Sequence, residues 1–297
     1  INNIQPRLGF AWQLDDRTVV RGGVGRYYGD VLTNLQMWTY GNESIASVEV
    51  NNDGRADFPS NPFQGAKPTA AQAFANFCDV NNRPGCLTRG LQELAPPPPY
   101  DTIQNSWQTS VGFQRQLGAV AAVEGDYVYN GSRDEKIIMD NVNVGYNPTT
   151  GVNLPYSVAS TRPFPLMGIV SVTPYTGWSN YHAVQSAFTK RFSDNWQAAA
   201  SYTLSAYRNG DPPPLAMIGG VVQEVPFTVA GDLGGEYTLG VTDQRHRLTL
   251  NGLWQIRYGF QVSGIYFFGS GERDDSFWGQ DLRDLGGGSQ RLRPNGT

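Results

Sequence analysis

The sequence predicts an all-β chain of antiparallel, up-and-down hairpins whose strands are long enough to cross a lipid bilayer. Three observations carry this. Segments of alternating polarity come in pairs joined by very short turns, long irregular stretches separate the pairs, and the composition suits strands and turns. Of the 297 residues, 16% are charged, 12% are aromatic and 35 are Gly. An ordinary soluble domain carries roughly 25% charged residues, and aromatic residues favour strands over helices.

The first hairpin spans about 4–29, with a turn expected at Asp15-Asp16. In its first arm Leu8, Phe10, Trp12 and Leu14 share one face, and Arg7, Gly9, Ala11 and Gln13 the other, the period of two that makes a two-faced strand. Its second arm is less regular, because Arg26 falls among the apolar positions. The second hairpin, 103–131, sets Trp107, Val111 and Phe113 against Gln108, Ser110 and Gln114, then turns at Gly118-Ala119. The third, 179–207, turns at Ser193-Asp194-Asn195, after which Trp196, Ala198, Ala200, Tyr202 and Leu204 align. The fourth, 244–271, turns at Arg257-Tyr258-Gly259, preceded by His246, Leu248, Leu250 and Trp254 on one face. That makes about eight strands.

The separating stretches, about 30–102, 132–178 and 208–243, hold Pro96-Pro97-Pro98-Pro99 and Pro212-Pro213-Pro214, which cannot donate to a strand ladder. A short helix is expected at 69–77 behind a Thr69 N-cap. Compact soluble domains rarely carry structureless connections beyond about 15 residues. Membrane barrels alternate tight turns on one side with long loops on the other. The segments of 10–14 residues also exceed the five or six usual in soluble strands and suit the 9–11 that a tilted strand needs to span a bilayer.

The two faces differ in chemistry as a membrane wall requires. Trp12, Trp196, Trp254 and Tyr258 near the short turns, and Tyr127, Tyr129, Tyr202 and Tyr207 near the long connections, form two expected aromatic belts. Arg7, Arg21, Gln108, Gln114, Arg245, Arg247, Thr249 and Asn251 form the expected lumen-facing wall, suited to a watered or plugged interior.

These residues also resemble a known family. IQPRLGFAW followed by RTVVRGGVGRYY, the GFQRQLG turn, TKRFS with its following YTLS, and VTDQRHRLTLNG leading to SGIYFFGSG resemble the mid-barrel part of TonB-dependent outer-membrane receptors of the Oar-like group. The resemblance implies a barrel of about 22 strands in the bacterial outer membrane, filled by an N-terminal plug and preceded by a carboxypeptidase-regulatory-like β-sandwich. Its implied partners are outer-membrane lipid, the plug of the same protein, TonB through the N-terminal part, and an unknown extracellular solute taken up or passed across. The sequence begins at Ile1 and ends in RLRPNGT without a terminal aromatic strand, so an internal barrel segment is expected. Two other readings stay open here: a plug-free small porin or adhesin-like barrel, and a secreted β-rich module binding carbohydrate on its Trp and Tyr rings.

Other chemistry has less support. The net charge of -4 argues against nucleic acid, and no apolar run reaches the length of a membrane-spanning helix. His182 and His246 are the only histidines; His246 lies near Asp243, but no nucleophile elbow or metal-binding pair accompanies them, so no catalytic residue is assigned. Glu124 and Asp126 share a strand face, and a solvated wall explains them. Cys78 and Cys86 close a short turn-rich loop and are expected to form a disulfide in an oxidising compartment. Glu49, Asn51, Asp53 and Asp57 take positions 1, 3, 5 and 9 of a Ca²⁺ loop, with Gly54 at the turn. Position 12, however, is Ser60 rather than a bidentate Glu, and an exposed Asn-Asp-Gly turn explains the segment equally well.

Overall fold

Eight strands pair in chain order into one antiparallel meander. The computed structural model describes residues 3–29, 48–78, 84–89, 93–95, 102–136, 141–165, 168–172, 175–210, 215–218, 221–224, 237–240, 242–271, 273, 281 and 284–286. The strands are β1 (Arg7–Asp15), β2 (Thr18–Tyr28), β3 (Asn105–Leu117), β4 (Ala121–Lys136), β5 (Tyr175–Ser193), β6 (Trp196–Gly210), β7 (His246–Gln255) and β8 (Gln261–Gly269). Each pairs with its sequence neighbour; β1 and β8 do not meet, so the sheet is open among the described residues. A short segment, Tyr237–Leu239, adds to β6 beyond the start of β7.

Local sequence sets the turns. Asp194 and Asn195 adopt φ of 51° and 70°, the two left-handed residues of a tight hairpin, and Asx side chains tolerate that conformation best after Gly. The first turn falls one residue later than expected, at Asp16-Arg17. The Asp15 carboxylate accepts the Arg17 N–H at 2.8 Å and the Thr18 hydroxyl at 3.1 Å, which closes the turn from its first corner. Gly118 and Gly259 supply positive φ at the other two turns.

On the opposite side the strands run past their expected ends: β4 reaches Lys136, β5 begins at Tyr175 and β6 continues to Gly210. Among the described residues, four of the five buried hydrophobic side chains (Ala73, Val142, Val144 and Val170) belong to the connections; only Ala183 lies on the sheet. The sheet is therefore a wall with two open faces, and the connections form their own small cores. One contains helix α1 (Ala70–Asn76), capped as expected by Thr69 and closed by a reciprocal bond to Gln72. The proline runs 96–99 and 212–214 and the RLRPNGT end lie outside the described residues.

Candidate functional site: the polar wall and its loops

Strand register sorts the side chains into two faces. One row runs Ala11, Arg21, Gly112, Asp126, Gln185 and Thr203 across six strands, ending at Arg247 on β7. Arg7, Gln108, Gln114, Thr249 and Asn251 share this polar face. Arg245 precedes β7 with the same parity, and its carbonyl accepts the Ser205 N–H at 3.0 Å. The opposite face carries Leu8, Phe10, Val111, Phe113, Val184, Leu250 and Val262, all exposed.

The charged centre of the polar face is one arginine and two carboxylates. Arg21 on β2 reaches across β3 to Asp126 on β4 with Nη2–Oδ2 at 3.0 Å, and touches Glu124 at 3.4 Å. Gly112 makes the crossing possible. A Cβ there would overlap the Asp126 carboxylate and stand 2.6 Å from the Gly125 carbonyl. Towards the tight turns this face opens into a hollow of about 450 Å³ lined by Arg17, Gln114, Gln116, Glu124, Thr189 and Arg191. Two apolar side chains interrupt the wall at its last strand: Ile265 and Phe267 share the face of Asn251 and Thr249, yet are 62% and 66% exposed. Neither stood out in the sequence, although alternation along IYFF (265–268) puts one apolar residue of each pair on the polar face.

The apolar face carries the aromatic belts. Trp12, Trp196 and Trp254 lie beside the tight turns, with Trp196 opposite Trp254, and Tyr258 sits in a turn, 94% exposed. Tyr127 and Tyr129 lie near the middle of β4 and Tyr202 near the middle of β6, lower than expected because the strands run on past them, and a histidine joins each group. Tyr127 shares a 2.7 Å hydrogen bond with His182, and Tyr202 a 2.8 Å bond with His246. Tyr207 departs from the expected belt. It stands opposite Tyr181 on the polar face, because β6 runs unbroken over the five residues from Tyr202, and an odd step reverses the side. The rings spread over a broad sheet face and gather in no single groove.

His246 and Asp243 do not form a catalytic pair. Asp243 is buried; it accepts the Tyr207 N–H at 2.7 Å and pairs with Arg273 at 3.1 Å, fastening the returning connection to β6. Two of the loop residues expected to bind Ca²⁺, Asp53 and Asp57, are paired with an arginine. Arg55 lies 2.6 Å from Asp53 and 3.3 Å from Asp57, and its hydrogen bond holds the Asp53 carboxyl below the usual range. Glu49 belongs to a two-residue strand paired with Thr88. Among the described residues, no three His, Cys, Asp or Glu side chains gather closely enough to hold a metal ion. Cys78 and Cys86 are joined by a disulfide, beside which the Cys78 N–H donates to Leu87.

A second connection is knitted by buried amides. Asn143 is fully buried; its Nδ2 donates to the carbonyls of Phe164 and Gly168, and its Oδ1 accepts the Phe164 N–H. Asn141 reaches the Leu285 carbonyl, and Asp284 accepts both the N–H and the hydroxyl of Ser157. The described residues 141–165, 168–170, 281 and 284–286 thus form one unit that no short motif announces.

The family of the outer membrane β-barrel domain matches residues 1–291. This chain belongs to that family. It is accordingly a protein of the outer membrane, with its apolar face towards lipid, its tight turns on the periplasmic side and its long connections outside. Among solved structures, the outer membrane transporter YddB from Escherichia coli aligns with a TM-score of 0.50 at 11% identity, over 95% of this chain and 30% of YddB. The FrpB iron transporter from Neisseria meningitidis gives 0.41 at 12% identity, over 89% of this chain and 26% of its own. The siderophore receptor PirA from Acinetobacter baumannii gives 0.34 at 11%, over 89% and 33%. The likeness to YddB is one of fold, and this chain spans about 30% of its length. No curated protein sequence matches the chain.

Proposed function

We propose that this chain forms part of the wall and external loops of a TonB-dependent outer-membrane receptor of the Oar-like group. Such a receptor takes up or passes a large or scarce solute, and a plug from the same protein fills the space in front of the polar face. One observation carries the reading. The wall presents a built, charged surface (Arg21, Glu124 and Asp126) on β2 and β4 and, four strands away on β8, exposed Ile265 and Phe267, a mixture that suits a docked protein domain better than a water column. TonB would act through that plug, and the solute would meet the loops first. The wall itself supplies no chemistry in this reading: both histidines are hydrogen-bonded to tyrosines on the lipid-facing side.

The test uses the full-length protein in planar bilayers, with a photo-crosslinking amino acid at Gln114. A plugged receptor gives no steady open-channel conductance and crosslinks Gln114 to its own N-terminal part. Large stable conductance steps without that crosslink would replace this reading with a plug-free porin.

A further inference from the structure

On the polar face, the rows lying outward of the charged centre are neutral. Counting outward from Arg21 and Asp126, the first row is Gly23, Ser110, Val128, Ala183 and Ser205, from β2 to β6. The second is Gly25, Gln108, Asn130, Tyr181 and Tyr207, and the third is Tyr27, Ser106, Ser132, Ser179 and Asn209. None of these residues carries a charge. Charges at the margin are already engaged: the Arg7 guanidinium lies 4.6 Å from the Tyr27 ring, and Glu135 accepts the Ser179 hydroxyl at 2.6 Å. The band is about 19 Å wide, at about 4.8 Å per strand, and about 14 Å tall.

The first row holds nothing larger than Val, whereas the second and third carry rings and amides, so a shelf overhangs a recess. Tyr27 lies down across Gly25, where a Cβ would stand 2.9 Å from its ring. The shelf is also rich in uncommitted hydrogen-bonding groups. On the lipid side the hydroxyls of Tyr127, Tyr129 and Tyr202 each bond to a neighbour: His182, Asn180 and His246. Among the described residues, the hydroxyls of Tyr27, Tyr181 and Tyr207 and the amide of Asn209 have no such partner. Gln108 has one long contact, 3.4 Å to Ser106, and Asn130 Oδ1 is buried with no partner at all. Phenols and amides both donate and accept, so the band suits a ligand whose own groups do both.

We propose that Tyr27, Gln108, Asn130, Tyr181, Tyr207 and Asn209 bind a neutral oligosaccharide arriving from outside, an inference that rests on the receptor function proposed above. Sugar hydroxyls meet the phenols and amides, and the C–H faces of the sugar rings pack on tyrosine. A carboxylate or phosphate ligand would find no cation to replace its water. An extended peptide would need an open ladder edge, and β2 to β6 are each paired on both sides.

The full-length protein, in a detergent without a sugar head, is incubated with maltohexaose, cellohexaose, xylohexaose, hexagalacturonate or hexaglycine, and bound ligand is counted by native mass spectrometry. At least one neutral hexaose should be retained about tenfold better than hexagalacturonate. The double variant Tyr181→Phe, Tyr207→Phe keeps both rings and its heat-shifted gel mobility, and should bind that sugar about tenfold more weakly. Arg257→Gln, at a periplasmic turn, should leave binding unchanged. Retention of no neutral hexaose, or better retention of hexagalacturonate, overturns the proposal whether or not the variant folds. So does a folded double variant with undiminished binding, and retention of hexaglycine alone would assign the band to a peptide instead. A protein that binds the sugar yet conducts steadily without the Gln114 crosslink would lose the receptor reading and keep this site in an open pore. A plugged receptor that binds no neutral sugar would lose this inference alone.

Discussion

The four tight turns and the long connections join the same strands but are held by different means. Each turn is settled within a few residues: Asp15 closes one by accepting from Arg17 and Thr18, and Asp194-Asn195 close another by adopting positive φ. The connections depend on single buried polar side chains with distant partners. Asn141 bonds Leu285 across 144 positions, and Asp243 bonds Tyr207 across 36. Local order survives damage to one residue, whereas order collected at a hub fails with the hub. The outer side of the molecule is thus more easily loosened by mutation than the periplasmic side.

Substitutions at the hubs should have the largest effects. Asp243→Ala leaves the Tyr207 N–H and Arg273 without their acceptor, and should cost about 2–4 kcal/mol locally. Hydrogen exchange at Tyr207 and Gly240 should accelerate by about a hundredfold while β3 and β4 keep their protection; uniform acceleration over the sheet would erase the distinction between hub and turn. Asn143→Ala removes the bonds to Phe164 and Gly168 from a fully buried site and should cost about 2–3 kcal/mol, read as new protease cleavage within 141–170. Within the wall, Gly112→Val collides with Asp126 and the Gly125 carbonyl, for about 1–3 kcal/mol, and should lower the temperature of the gel-mobility shift. At a turn, Asn195→Ala strains one residue at φ 70° and should cost about 1 kcal/mol without altering loop proteolysis.

The smallest effect concerns acid. Hydrogen bonding from Arg55 depresses the Asp53 carboxyl below its ordinary 3.8. A depressed carboxyl contributes its contact in full above that value and loses it only as the pH falls further. The carboxyl ¹³C shift of Asp53 should therefore be flat from pH 7 to pH 5, and a midpoint above 3.8 would contradict the Arg55 contact.

Much of the wall was readable because its determinants are local. Alternation fixed which residues of GFQRQL face lipid, Asp and Asn marked two of the four turns, one of them a residue early, and Thr69 marked the helix start. The loop hubs were not readable, since nothing near Asn143 or Asp243 points to Phe164 or Arg273. The Ca²⁺ pattern registers oxygen ligands by their spacing and takes no account of the arginine between them. Arg55 occupies both Asp53 and Asp57. Tyr207 was misplaced by weighing its nearness to a connection above its parity along β6.

The excess length of the central strands has a mechanical consequence. β5 has 19 residues, and at about 3.3 Å per residue and a tilt near 45° it rises about 44 Å, against a hydrocarbon core of about 30 Å. The β4–β6 ladder therefore extends through the headgroup layer, with backbone hydrogen bonds along its height. A load applied to an external connection would be carried to the wall through the ladder instead of being absorbed in a slack tether.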